Sequence, residues 1–251
     1  MKTIYLFLVL LLAVVSVAPA QNAKKPAAKP TTLRQSPELK GLGIFKLGKP
    51  VAEILDTLQK QLGTEVRAYR SFIDIDIAGP NSIIEVLPDT AENGELSNEY
   101  ARYSPDARVF ALTDYVVAGI EIPRLYLTFF KGALCRIDLE PMTALEDALA
   151  IKYGKPTLNV VSSNVSCIYK LTGRQFTNKA FIMKKTWQNG PIQIVSYFRN
   201  YYDGDCKEHA DSYFTIKNNT TAVALANSEG IAKAKFKQAK AAATKKQLSD
   251  L

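Results

Sequence analysis

Histidine is almost missing from this chain: His209 is the one imidazole in 251 residues. A Ser-His-Asp or Cys-His relay and a multi-histidine metal site therefore have very little to be built from. The sequence also lacks a G-x-S-x-G elbow, an H-E-x-x-H helix and a glycine-rich phosphate loop. Those absences remove the usual signatures of serine hydrolases, zinc proteases and nucleotide-binding enzymes. No cofactor is expected. Beyond the first 20 residues no apolar run reaches the ~20 residues of a membrane span, so none is expected in the mature chain. Carboxylate pairs need no histidine, and acid–base hydrolysis by such a pair stays open. Asp74 and Asp76 share one face of an apparent strand, but two acids on a wet face ordinarily serve solvation.

The ends differ from the middle. Lys2, an apolar run from Ile4 to Val15 and the small residues Ala18-Pro19-Ala20 have the pattern of a secretory signal, 1–20. The expected location is secreted or periplasmic. Residues 21–40 are rich in Pro and Lys and read as a flexible linker. Residues 221–251 are rich in Ala and Lys, with few large apolar groups, and predict a frayed surface helix or mobile tail. The formal charge of +8 resides mainly in these ends. Residues 41–220 hold 20 basic and 21 acidic residues, so specific nucleic-acid binding is not expected.

The middle reads as alternating strands with two helices. Val51, Ile54, Leu55, Leu58 and Leu62 form a helical stripe, with Pro50 suited to the first turn and Gly63 to the stop. Leu125, Leu127 and Phe129 alternate with Tyr126, Thr128 and Phe130, a period-2 strand. Lys131-Gly132 turns it back. Ala133, Cys135, Ile137 and Leu139 then predict the core face of the return strand. Thr143 with Glu146 has the spacing of a capping box for a helix over 144–153, closed by Gly154. Further strands follow, with turns expected at Asn189-Gly190 and Asp203-Gly204-Asp205.

This order predicts an α+β class: an antiparallel sheet in two related halves, 41–140 and 141–220, with two short helices packed on one face. FKLGKPVAEILDTL and the passage from the second helix into KYGKP carry a resemblance to the tandem α+β fold of the beta-lactamase inhibitor protein. Small outer-membrane assembly lipoproteins share that unit singly. The resemblance implies protein binding through a sheet face or loops. This chain departs from it in having at most one cysteine in the first half, and no lipidation cysteine after the apolar run.

Cys167 and Cys206 are the expected disulfide, bracketing the 180–200 hairpin, which leaves Cys135 as a buried thiol. His209 stands in DGDCKEHAD among Asp203, Asp205, Cys206, Glu208 and Asp211. The calcium-loop pattern is incomplete there, a disulfide would occupy Cys206, and a polar turn is the simpler expectation. No metal site is assigned. Trp187, Tyr197, Tyr201 and Tyr202 form a candidate binding surface, with core packing as the competing role. The expected function is a secreted, non-catalytic protein-binding or envelope-assembly module whose partner is another envelope or extracellular protein. The alternatives are a carboxylate-dependent envelope hydrolase and a glycan-binding accessory domain.

Overall fold

Paired positive-φ residues fold the central strands onto one another. The computed structural model describes residues 37–69, 78–88, 95–96, 99–168 and 173–249, all in one compact unit. In chain order the elements are β1 (Gly41–Leu42), β2 (Phe45–Lys46), α1 (Val51–Leu62), β3 (Val66–Tyr69) and β4 (Ile83–Val86). Then come β5 (Ala107–Val117), β6 (Ile120–Phe130), β7 (Ala133–Leu139), α2 (Thr143–Tyr153) and β8 (Thr157–Ile168). The last four are β9 (Gln175–Asn189), β10 (Ile192–Tyr202), β11 (Glu208–Asn218) and α3 (Asn219–Ser249). Ala118-Gly119, with φ of 50° and 81°, joins β5 to β6, and Lys131-Gly132, with 51° and 80°, joins β6 to β7. Two positive φ values in a two-residue loop are what a type I′ turn requires. The β9–β10 turn is Gly190-Pro191, one residue later than expected, with Asn189 still paired to Ile192.

The class is α+β, but the two related halves are not found. β1 and β2 form a small separate pair, and the other nine strands form one sheet in the order β3-β4-β5-β6-β7-β11-β10-β9-β8. Among the described pairings only β3–β4 is parallel. The seam is β7 with β11, from Phe214 opposite Leu139 to Lys217 opposite Arg136. A single core crosses it, in which Ile137 and Leu139 join Phe214 and Ile216 beneath Ile54 and Leu58 of α1 and Leu145 and Leu149 of α2. Splitting the sheet at the seam would expose these side chains and leave two open edges, so burial favours one sheet.

Both short helices lie on that core, as expected, but their starts differ from expectation. Pro50 is the extended residue just before α1, with ψ of 146°, and Gly63 closes the helix with φ of 63°. α2 begins at Thr143 after Met142, with no side-chain cap. Glu146 turns away from the helix start to meet Lys185 Nζ at 2.5 Å and the Ser196 hydroxyl. The partly buried Lys185 ammonium brings a full opposite charge as well as a donor, whereas a backbone N–H brings only the donor, and the capping box loses.

β7 contains the second correction. Phe129 pairs with Leu134 while Thr128 pairs with Arg136, so Cys135 is the extra residue of a β-bulge. The bulge resets the alternation. Leu134, not Cys135, joins Ile137 and Leu139 on the helix side. Cys135 faces the other way, against Phe130 and Leu225, and its thiol donates to the Thr128 carbonyl at 3.2 Å.

The tail forms a surface helix, as one of its two expected states, but it is docked rather than frayed. Asn218 caps α3 by accepting from the N–H groups of Thr220 and Thr221 at 3.0 and 3.3 Å. The helix then docks on the opposite sheet face. Leu225 is buried, and the Glu229 carboxylate accepts the backbone N–H groups of Tyr103 and Ser104 at 2.9 and 2.8 Å. Lys233 and Lys237 reach Glu95 at 2.6 and 3.1 Å. Phe236 packs on Tyr103 with ring centres 5.9 Å apart. Together with residues around Tyr100, which stacks on Tyr126, α3 covers part of the face opposite α1 and α2. That face stays open on the β9–β11 side.

Replacing Glu229 strands two partly buried N–H groups. Glu229→Ala should destabilise the protein by about 1–3 kcal/mol, read as a lower denaturant midpoint with unchanged slope. An unchanged midpoint would show that α3 does not hold the sheet. At Glu95 the two lysines keep the carboxyl down at about 2. The contribution is whole above the ordinary carboxylate value and is lost as pH falls toward 2. Amide exchange in α3 should therefore separate wild type from Glu95→Gln at pH 7 and converge near pH 2, and a difference that persisted in acid would contradict this pairing.

Candidate binding face

Strand alternation decides which side chains share the open face. Direct pairing puts Lys217 opposite Arg136, Tyr197 between Lys184 and Tyr213, Arg199 opposite Asp211, and Tyr201 opposite His209. Opposed residues in a regular antiparallel pair point the same way, so these form one continuous surface over β7, β11, β10 and β9. Tyr197 and Tyr213 stack with ring centres 4.7 Å apart. Arg199 lies over the Tyr201 ring at 4.2 Å, and Tyr201 stacks on His209 at 5.2 Å.

The face is positively charged although the middle of the chain is balanced. Burial, then the neighbouring charges of Arg136 and Lys184, push the Lys217 ammonium below its ordinary value. Like charges directly opposite on adjacent strands destabilise a sheet. Here the Asp138 carboxylate relieves one of them, accepting both contacts from Arg136 Nε at 2.8 and 2.7 Å. Burial is also the first cause raising Tyr213, with Tyr197 the second. The surface thus combines poorly hydrated cations with half-exposed tyrosine rings.

The four aromatic candidates separate. Tyr197 and Tyr201 belong to the open face. Tyr202 pairs with Glu208 and, by alternation, belongs to the helix side beyond α2. Trp187 is in the main core at 5% exposure, and its indole N–H donates to the Gly154 carbonyl at 2.9 Å. That bond satisfies a carbonyl at the end of α2, so Trp187 is a packing residue and offers no free surface. Arg136, Lys184, Arg199 and Lys217 were not candidates from the sequence. Arg136 and Lys217 meet through a pairing between strands far apart in the chain, and Lys184 and Arg199 join them through the consecutive hairpins β9–β10 and β10–β11.

Cys167 and Cys206 are joined, with Cα atoms 5.8 Å apart. The bond ties the end of β8 to the β10–β11 turn, and a loop of this length is worth about 4 kcal/mol in the chain-entropy account. In that turn His209 Nε2 meets Asp203 Oδ2 at 2.8 Å, while Asp203 Oδ1 accepts from the N–H groups of Asp205 and Lys207. The His209 hydrogen bond is the first cause holding Asp203 below its ordinary value. Among the described residues no group of three metal-ligating side chains converges. Asp138 and Asp211 on the open face are engaged by Arg136 and Arg199 respectively, so they are not placed as an acid–base pair. Asp74 and Asp76 lie outside the described residues. No described helix is long and apolar enough to cross a membrane.

Comparison with protein-family models, curated proteins and solved structures finds no match for this chain.

Burial pushes the Cys135 thiol up to about 11, so at pH 8 it is protonated and shielded by α3. Native protein should label with a maleimide at least about 100-fold more slowly than a free cysteine thiol. Leu225→Ala should speed that labelling by thinning the cover. Fast labelling of the wild type would show that Cys135 is accessible.

Proposed function

We propose that this chain is an exported, non-catalytic module that binds an acidic segment of another envelope or extracellular protein on the basic, tyrosine-lined face of β7, β11, β10 and β9. The observation that carries this reading is Arg136 directly opposite Lys217, with Lys184 nearby, on a face left open beside a docked helix. Such repulsion weakens the free fold and is relieved by an anionic partner. Tyrosine and arginine are also the side chains that most often anchor protein interfaces. The intramolecular disulfide supports an oxidising compartment, in keeping with the signal-like pattern of residues 1–20 and a secreted or periplasmic location. The stacked Tyr197–Tyr213 pair, with Tyr213 at 43% exposure, supports glycan binding as a second reading.

Capture from envelope extract tests the proposal. The mature chain is compared with Lys217→Glu and Tyr213→Ala, each checked for an intact thermal transition. A specific partner should be lost by about tenfold or more in either variant, in line with hot-spot behaviour, and its capture should fade with added salt. Capture that neither variant weakens would reject this face. Release by a free oligosaccharide would favour the glycan reading.

A further inference from the structure

The far end of the sheet is unusual. β8 is 12 residues long, TLNVVSSNVSCI, and has no charged residue and no proline. It stands at the end of the strand order, with β9 its only strand neighbour among the described residues. Leu158, Val160, Val161 and Ile168 are 58, 56, 58 and 62% exposed. Proteins ordinarily guard such edges with lysine, proline, a bulge or short length. β3, at the other end, is four residues long and carries Arg67. The long edge alone lacks every such guard.

We propose that β8 pairs antiparallel with β8 of a second copy of this chain, joining two sheets into one. The sequence itself selects the occupant. With no charge in the strand, self-pairing opposes no like charges. Antiparallel pairing about a two-fold axis normal to the sheet sets residues of the same face opposite one another, so the axis must pass through a single residue position. Centred on Ser163, Leu158 meets Ile168 of the second copy and Val161 meets its Val165, while the small Ser163 side chains meet at the axis. Centred on Ser162, Leu158 would instead face Ser166 and Val160 would face Asn164. The first register gives one apolar pair on each face and leaves Val160 opposite Ser166, whereas the second pairs neither Leu158 nor Val160 with an apolar residue. Pairing over residues 158–168 supplies roughly one backbone hydrogen bond per residue, near the ten or so of a typical protein interface. Both basic faces then lie on one side of the joined sheet. The pairing is independent of what those faces bind.

Light scattering on the full mature chain, up to about 100 µM, tests the assembly, and cysteine cross-linking tests the register. The expected result is a dimer that Val161→Lys weakens by at least about tenfold. Under mild oxidation Ser163→Cys should give a reducible covalent dimer, because opposed Cα atoms lie about 4.5–5.5 Å apart. Ser162→Cys should give little, since its counterpart lies across from Asn164. A monomer throughout the range, an open polymer, or a dimer indifferent to Val161→Lys would overturn the proposal. Equal cross-linking at both serines would overturn the register. If Val161→Lys fails to fold, the cross-link at Ser163 in the otherwise native strand decides alone.

Discussion

The pairing of β7 with β11 holds the rest together. It spans four paired positions, from Phe214–Leu139 to Lys217–Arg136, yet it joins strands whose other neighbours are all reached through separate meanders. On one face it places Phe214 and Ile216 beside Ile137 and Leu139, completing the core on which α1 and α2 rest. On the other it brings Lys217 up to Arg136. Stability and the positive face arise from the same contact.

Features governed by near neighbours could be read from the sequence. Lys131-Gly132 carries its own turn chemistry, Gly63 its own helix stop, and the cysteine spacing around the 180–200 hairpin pointed to Cys167 with Cys206. Features decided by distant partners could not. Glu146 lies three residues after Thr143, but Lys185 and Ser196 are the groups it meets. Cys135 follows a clean alternation in the sequence, and only its register against Phe129 and Thr128 shows the bulge. α3 is the clearest case. Its docking residues, Leu225, Glu229, Lys233, Phe236 and Lys237, recur about once per turn and mark a single stripe. The stripe is mostly polar, so hydrophobic periodicity does not register it, and its partners are backbone N–H groups and Glu95, which the sequence does not advertise.

The candidate face was legible only in part. Tyr197 and Tyr201 were named because aromatics on strands near a hairpin are conspicuous. Their charged companions Arg136, Lys184 and Lys217 come from three strands, and the net balance of the middle segment conceals them. Composition averages over a surface, whereas a sheet sorts it by alternation. Trp187, the most conspicuous aromatic, went to the core because the carbonyl of Gly154 offered its N–H a partner there.

The strand that completes the centre of this sheet is also the last of the described strands. Leu139 waits for Phe214, 75 residues later, so a growing polypeptide has no finished core until β11 has emerged. Closing so long a loop is slow compared with forming local hairpins. Until then the earlier strands end in a bare edge at β7. The architecture postpones cooperative folding until β11 has been made, leaving an interval in which the β3–β7 meander must stay unaggregated with one side of β7 unpaired.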